Sequence, residues 1–172
     1  MFTASKEAVV EASPQSLFDV VADLARHPDL AGSGEVLRVR QLTDGPVGVG
    51  TRFEADEDIP LALGRWSPTS SKLVAKSEVL EYDPPRTFSW KSAPQGQKPP
   101  RQLQWWFRLS PEDRSTRVVH EVKADFGPMK NLVTKIFLAL GRRKAIERGM
   151  EQTLDNLRQM VDEHPADSPD GR

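Results

Sequence analysis

Six successive segments between residues 35 and 126 alternate apolar with polar side chains, and short turn-forming stretches separate most of them. An alternation with a period of two is typical of β-strands that bury one face. The separators DPP, APQGQKPP and PEDR are rich in residues that favour turns. Because a parallel crossover needs a dozen or more residues, connections this short predict antiparallel neighbours. The middle of the chain is therefore predicted to form an antiparallel sheet.

The six predicted strands are Glu35–Leu42, Thr51–Glu57, Lys72–Tyr82, Arg86–Lys91, Arg101–Ser110 and Ser115–Phe126. The residues Val9 and Val10 predict one more strand, Ala4–Glu11, ahead of them. The stretch TDGPVGVG, between the first two of the six, predicts a hairpin loop. A phosphate-binding loop would need Gly-Lys-Ser or Gly-Lys-Thr at the start of a helix. Here Thr51 opens a strand, so the hairpin loop is the favoured interpretation.

The segment ASPQSLFDVVADLARHPDL predicts a short helix ahead of this sheet. Ser13 is a suitable N-cap, and Pro14 occupies the first helical position, where its missing N–H costs nothing. One apolar stripe follows at helical spacing, made of Leu17, Val20, Val21 and Leu24. Pro28 disfavours helical geometry at His27, so the helix is predicted to end near Arg26.

The end of the chain returns to helical spacing, first between Leu132 and Leu140 and then between Ile146 and Val161. These two apolar faces predict one long C-terminal helix with a bend near Gly141 or Gly149. The GRRK stretch between them is interpreted as a solvated helix face, with contact to acidic lipid or a protein partner as the alternative.

Composition excludes several classes of site. The chain contains no cysteine, so neither a disulfide framework nor a zinc–thiolate centre can form. Its three histidines never stand four residues apart, so no metal site is predicted, and no other cofactor is expected. A net charge of −1 gives no field that would gather nucleic acid, which is not expected as a partner.

Length and hydropathy favour a single domain in the cytoplasm. The 172 residues match one domain, predicted to cover residues 1–163, with a frayed tail from His164 to Arg172. The longest apolar run, Ile136–Leu140, is far shorter than the ~20 residues needed to span a bilayer, so stable membrane insertion is not expected. The first residues also lack the pattern of a signal peptide.

The order strand, short helix, six strands and long helix resembles the SRPBCC superfamily, which includes START domains, birch-pollen-allergen-like proteins and polyketide cyclase/dehydrase-type proteins. The matching pieces are EASPQSLFDVVADLARHPDL, GPVGVGTRF, EVLEYDPPRTFSW, STRVVHEV and LGRRKAIERGMEQTLDNLRQMV, which together span about residues 5 to 163. The resemblance implies an α+β helix-grip fold. In that fold a curved antiparallel sheet of six or seven strands wraps around the long C-terminal helix, a short helix lies between strands 1 and 2, and a cavity lies between sheet and helix.

Alternation along the strands sorts their side chains by face. The residues expected to point inward and bind a ligand, together with one from the 59–71 segment and two from the C-terminal helix, are Phe53, Trp66, Ser77, Phe88, Trp90, Trp105, Phe107, His120, Phe137 and Met150. For Trp90, Trp105 and Phe107 ordinary core is the favoured interpretation, and the two roles overlap because core residues of this fold are also cavity walls. The irregular segment IPLALGRWSPTSS, residues 59 to 71, is predicted to be a loop that either covers the cavity mouth or packs passively.

His120 and Trp106 each carry two interpretations. His120 falls among apolar inward neighbours, where it is either a satisfied core imidazole or a catalytic acid or base helped by Ser77 or Glu81. Trp106 falls on the outward face beside Arg108, where it is either flanked by charged side chains or part of a homodimer contact.

Three functions follow from these expectations. The favoured hypothesis is binding or transport of a small hydrophobic molecule, such as a lipid, isoprenoid or polyketide, in the cavity. A second hypothesis is a polyketide cyclase, aromatase or dehydratase with His120 as acid or base, so whether the chain is an enzyme stays open. A third is a protein-interaction module of the chaperone-activator type, which would work through Trp106 or the basic helix face while its side chains fill the cavity.

Overall fold

The strands of this protein form one antiparallel sheet in which almost every strand pairs with its successor. The computed structural model describes residues 2–62, 68–95, 102–125 and 142–163. Within these ranges the sheet has seven strands in the order β1-β7-β6-β5-β4-β3-β2, so β1 and β2 form its two edges. The antiparallel pairing predicted from the short connections is confirmed.

The strands are β1 (Phe2–Val10), β2 (Val36–Gln41), β3 (Arg52–Ala62), β4 (Pro68–Asp83), β5 (Thr87–Pro94), β6 (Gln102–Glu112) and β7 (Ser115–Asp125). The helices are α1 (Pro14–Ala22), α2 (His27–Leu30) and α3 (Arg143–Asp162), with a short 3-10 turn at Leu24–Arg26. The α+β helix-grip fold fits this arrangement. The GPVGVG stretch forms the connection between β2 and β3, where Gly45 and Gly50 have φ angles of 92° and 84°.

The predicted helix over residues 13–26 is shorter and interrupted. Its start is as expected, since the Ser13 hydroxyl accepts from the Ser16 N–H at 3.1 Å. The helix ends at Ala22, because Asp23 is extended and its carboxylate accepts from the Ala25 N–H at 3.0 Å. The prediction that His27 avoids helical geometry is wrong. His27 has φ −57° and ψ −35° and begins α2, where Pro28 falls in the first turn and lacks only an N–H that a helix start does not use.

The prediction of a loop over residues 59–71 is also wrong at both ends. Strand β3 continues to Ala62 and β4 begins at Pro68, and these two residues are register partners. Pro60 is compatible with a strand here because β3 has no β2 partner beyond Glu57 in the register. Trp66 lies outside the described residues, as do Phe137, the expected helical stretch 132–141 and the C-terminal tail.

The helix α3 packs against the sheet and against the segment before β2. Its buried residues include Ile146, Met150, Leu154 and Leu157. No bend is needed at Gly149, since α3 runs through this residue. A side chain there would be crowded, because a Cβ at Gly149 would lie 3.2 Å from the Ser33 Cβ. The N–H of Gly32 donates to the Thr153 hydroxyl at 2.9 Å, so residues 32 and 33 are docked directly on α3.

Candidate ligand-binding site

A cavity of about 180 Å³ lies between the sheet and the helices α2 and α3. Its sheet wall consists of residues of β2 to β7, and those of β3 to β6 alternate along each strand, as expected from the period of two. The helices contribute His27 and Leu30 from α2 and Ile146, Met150 and Thr153 from α3.

Most of the residues expected to bind a ligand are brought together around this cavity. Those that line it are Phe53, Ser77, Trp90, Trp105, Phe107, His120 and Met150. Phe88 does not line it. This residue is fully buried behind the wall, with its ring 6.5 Å from the ring of Phe18, and so it packs the core.

One end of the cavity is a wall of parallel rings, called here the aromatic end, made of Trp90, Trp105, Phe107 and His120. The ring centroids of Trp90 and Trp105 lie 6.3 Å apart with planes 17° apart. Trp90 also stacks on Phe107 at 6.2 Å, and Phe107 stacks on His120 at 4.2 Å. Because these residues are neighbours in the register of β5, β6 and β7, the sheet itself sets the ring spacing.

The imidazole of His120 is neutral and fixed in one tautomer. Its Nδ1 lies 3.1 Å from the Trp106 carbonyl oxygen, which can only accept, so Nδ1 carries the proton and donates. Nε2 is then left as a hydrogen-bond acceptor. Burial lowers the pKa of His120 to about 4, and the hydrogen bond to Trp106 opposes this shift only in part. The group is therefore suited to accepting a hydrogen bond near neutral pH and poorly suited to proton transfer.

A second imidazole, His27, lines the cavity and was not among the predicted residues. Its Nε2 lies 3.0 Å from the Val21 carbonyl oxygen, so Nε2 donates and Nδ1 is the acceptor. Its ring lies 5.3 Å from that of Trp90. Burial lowers the pKa of His27, so this group is also neutral. The sequence did contain a signal, because His27 stands midway between Leu24 and Leu30 at a spacing of three residues. In the structure all three residues are buried.

The other end of the cavity is charged and is called here the carboxyl end, made of Glu57, Glu35 and Arg142. Glu35 accepts two hydrogen bonds from the guanidinium of Arg142, with Nη2 to Oε2 at 2.5 Å. The Asp58 N–H donates to the Glu35 carbonyl oxygen at 2.8 Å, which holds Glu35 beside Glu57. The GRRK stretch is thus only partly a solvated face, because its first arginine belongs to the cavity.

Glu57 brings a carboxyl group with a pKa near neutral into the cavity. Burial and, next, the negative charge of Glu35 raise the pKa of Glu57 to about 7, against an opposing effect of Arg142. This residue was also missed from the sequence. The signal was present, because Phe53, Ala55 and Glu57 alternate along one strand and all three line the cavity.

Two polar residues considered as helpers of His120 are separated by the structure. Ser77 lines the cavity. Glu81 does not, because an irregularity in the pairing between Val79 and Glu81 turns it to the opposite face. There its carboxylate accepts from the Trp106 indole N–H at 3.1 Å.

Trp106 lies on this opposite face and is covered by its own chain. Only 8% of the residue is exposed. The guanidinium of Arg108 lies 5.4 Å from the centroid of the indole, and Arg108 itself pairs with Glu121 at 2.6 Å. The indole is therefore largely covered by side chains of its own chain.

Among residues 2–62, 68–95, 102–125 and 142–163, no three His, Asp or Glu side chains lie close enough together to hold a metal ion. Within the same ranges no helix is both long and apolar enough to cross a bilayer.

Solved structures of the same fold come from several bacteria. A conserved protein from Geobacillus kaustophilus superposes with a TM-score of 0.69 at 13% identity, over 95% of this chain and 97% of its own. A protein from Mesorhizobium loti gives a TM-score of 0.62 at 19% identity, over 94% and 98%. DynU16, a protein of the dynemicin biosynthetic locus, gives 0.58 at 12% identity, over 93% of this chain and 47% of its own. Identities this low show the shared fold alone.

The comparison of sequences with protein families is more specific. Curated proteins give no match to the chain. The family described as polyketide cyclase / dehydrase and lipid transport matches residues 1–162, which is nearly the whole length. By this match, and in agreement with the helix-grip arrangement of its sheet and helices, the chain belongs to the polyketide cyclase/dehydrase and lipid transport family.

Proposed function

We propose that this protein binds a small hydrophobic molecule that carries an aromatic ring, of lipid, isoprenoid or polyketide-like type, and releases it unchanged. The observation that carries the proposal is the aromatic end of the cavity, where three large rings and one neutral imidazole lie in stacked order. The family description supports the same class of ligand, since both polyketides and lipids are largely apolar.

The size of the cavity limits the part of a ligand that it can enclose. An apolar cavity of roughly 150 Å³ holds one benzene molecule. The 180 Å³ found here therefore encloses one aromatic ring, and any longer chain attached to the ring must run along the cavity toward the carboxyl end. A planar ring also gains from stacking on Trp90 or Trp105, by about 0.5 to 1.5 kcal/mol beyond the burial of its surface.

The hypothesis of a cyclase that uses His120 as its acid or base has less support. A general acid or base works best when its pKa lies near the operating pH. The pKa of His120 is about 4, and its one N–H is already donated to Trp106. The interaction-module hypothesis is also less favoured, because the cavity is open and Trp106 is buried within its own chain.

A titration of neutral probes tests the proposal. We expect isothermal titration calorimetry to show saturable binding of 4-ethylphenol, with weaker binding of cyclohexanol, which cannot stack. Ala75 is 2% exposed and lines the cavity, so Ala75→Leu fills the space and should abolish binding. Lys76→Leu is the matched control, because Lys76 is the next residue of β4 and is exposed on the other face. Absence of binding to the native protein, or equal binding by both variants, would overturn the proposal.

A further inference from the structure

A neutral aromatic ligand, as in the proposed function, leaves one negative charge at the carboxyl end of the cavity unmatched. The inference drawn from this charge rests on the proposed function. Glu35 and Arg142 form a two-bonded ion pair and neutralise each other. Among the residues that the structure describes, Glu57 has no ion-pair partner of its own. When its carboxyl group is ionised, the carboxyl end holds two negative charges and one positive charge, in a setting where burial makes an unmatched charge costly.

The ion pair does not relieve this imbalance at Glu57. Of its two members, Glu35 acts more strongly on Glu57 than Arg142 does. The ion pair therefore does not neutralise the Glu57 carboxylate. Either a proton or a positively charged group of a ligand can neutralise this carboxylate. In the free protein near neutral pH, a proton is bound to Glu57 in a fraction of the molecules.

The two ends of the cavity lie at a separation that one small molecule can span. Phe53 lies near the aromatic end, because its ring is 6.2 Å from that of His27, which in turn is 5.3 Å from that of Trp90. Glu57 follows Phe53 by four residues on the same face of β3, which corresponds to about 13 Å between their Cα atoms. Both side chains extend into the cavity and shorten this gap, so a linker of three or four carbons joins a ring to an ammonium group across it.

We propose that the cavity selects arylalkylamines: an aromatic ring stacks at the aromatic end, and the ligand's ammonium group pairs with the Glu57 carboxylate at the carboxyl end. The ammonium group then takes the place of the proton on Glu57. Binding of the amine is therefore coupled to release of one proton from the protein at pH values where Glu57 is protonated.

The coupling between amine binding and proton release comes from the titration of Glu57 itself and not from the groups that face it. Glu35, which precedes β2, and Arg142, which precedes α3, are held together as a pair. The register partners of Glu57 on β2 and β4 are Val36 and Leu73, which do not titrate. His27 and His120 line the same cavity, but burial lowers the pKa of both imidazoles, and that of His120 to about 4.

A matched pair of probes tests the inference. 4-Phenylbutylamine and 4-phenyl-1-butanol have the same ring and linker and differ only in the polar group, and the ammonium group stays charged up to about pH 9. Because the pKa of Glu57 is about 7, we expect calorimetric affinity for the amine to fall about 30-fold from pH 8 to pH 5.5, while affinity for the alcohol stays constant. At pH 8 the amine should bind at least about 10-fold more tightly than the alcohol.

Two variants distinguish the effect of Glu57 on amine binding from the effects of other acidic groups. Glu57→Gln should remove the preference for the amine over the alcohol and the pH dependence of amine binding. Glu54→Gln is the control, because Glu54 lies on the opposite face of β3 and pairs with Arg40. Equal affinity of the native protein for the two probes, or binding of the amine that is independent of pH, would overturn the inference and leave the proposed function intact. Failure of both probes while 4-ethylphenol still binds would overturn the inference alone, whereas failure of 4-ethylphenol as well would overturn the proposed function. The pH profile needs only the native protein, so the test stands even where Glu57→Gln does not fold.

Discussion

The imidazole of His120 lies parallel to the phenyl ring of Phe107, with the ring centroids 4.2 Å apart and the planes 5° apart. The two residues are direct register partners on β6 and β7, so the sheet fixes this stacking. A stacked and buried imidazole has little access to water, which is the physical cause of the lowered pKa of His120. This pair explains why the histidine acts as a piece of the cavity wall.

His120→Phe should remove a dependence of stability on pH. The pKa of His120 is about 4 in the folded protein and about 6.5 in the unfolded chain, so between these values the unfolded chain binds a proton that the folded protein does not. Stability from this group is complete above pH 6.5 and falls as the pH drops, by about 2 kcal/mol between pH 7 and pH 5. Urea unfolding at these two pH values measures it. The same fall in the variant as in the native protein would contradict the assignment.

Glu57→Gln should change the pH dependence of stability in the opposite direction. The pKa of Glu57 is raised to about 7, so the folded protein holds a proton that the unfolded chain has lost between about pH 4.5 and 7. Stability from this group is present below pH 4.5 and is lost as the pH rises through 7. We expect Glu57→Gln to gain about 2 kcal/mol relative to the native protein on going from pH 5 to pH 8. Urea unfolding of Glu54→Gln over the same range provides the reference, and parallel curves for the two variants would refute this effect.

The two members of the ion pair should shift the titration of Glu57 in opposite directions. Glu35 raises the pKa of Glu57 and Arg142 lowers it. Glu35→Gln should therefore lower the pKa of Glu57, whereas Arg142→Met should raise it. An NMR titration of the Glu57 carboxyl carbon measures both shifts. Arg143→Met is the control, because Arg143 is exposed and pairs with Glu147 instead. Shifts in one direction for both variants would show that the carboxyl end is arranged differently.

Strand alternation predicted most of the cavity wall. With a period of two, the face of every residue in a strand follows once the face of one residue is known. It placed Trp90, Trp105 and His120 on the inner face, and the structure agrees on their orientation. The same alternation applied to β3 leads from Phe53 to Glu57, but the acidic residue lies near the end of the predicted strand, where burial is not visible in the sequence. Glu81 was misplaced because the register shift between Val79 and Glu81 depends on pairing with β5.

The contacts between distant segments could not be predicted from the sequence. Arg142 lies in a stretch of basic residues that is typical of a solvated helix, and its partner Glu35 precedes it by 107 residues. Only the folded chain brings the two together. The position of His27 in the cavity wall was not predicted for a related reason. Pro28 indicated that the first helix ends at about His27, whereas the side chain of Asp23 ends that helix before His27 is reached.

Trp106→Phe should weaken the outer face of the sheet without affecting ligand binding or oligomeric state. The variant lacks the indole N–H that donates to Glu81, and it retains an aromatic face beneath Arg108. Loss of one hydrogen bond to a charged group costs about 1 to 3 kcal/mol. Urea unfolding, calorimetry with 4-ethylphenol and analytical ultracentrifugation measure the three properties. A change in oligomeric state would show that Trp106 contributes to a contact between copies of the chain.

Gly32→Ala should destabilise the protein and loosen the carboxyl end of the cavity. A Cβ at Gly32 would lie 2.4 Å from the Thr153 backbone nitrogen, closer than folded proteins permit, so α3 or the segment before β2 must move. Overpacking of this kind costs about 1 to 3 kcal/mol. Gly48→Ala is the matched control, because a Cβ there meets nothing within 4 Å and its φ angle is not positive.

The movement caused by Gly32→Ala should also be visible in binding. Glu35 follows Gly32 by three residues and pairs with Arg142 at the start of α3, so separating the two segments disturbs the ion pair beside Glu57. We expect Gly32→Ala to lose affinity for 4-phenylbutylamine at pH 8 while its affinity for 4-ethylphenol changes little, because the smaller probe needs only the aromatic end. Equal losses for both probes would show instead that docking of residues 32 and 33 on α3 supports the whole cavity rather than one end of it.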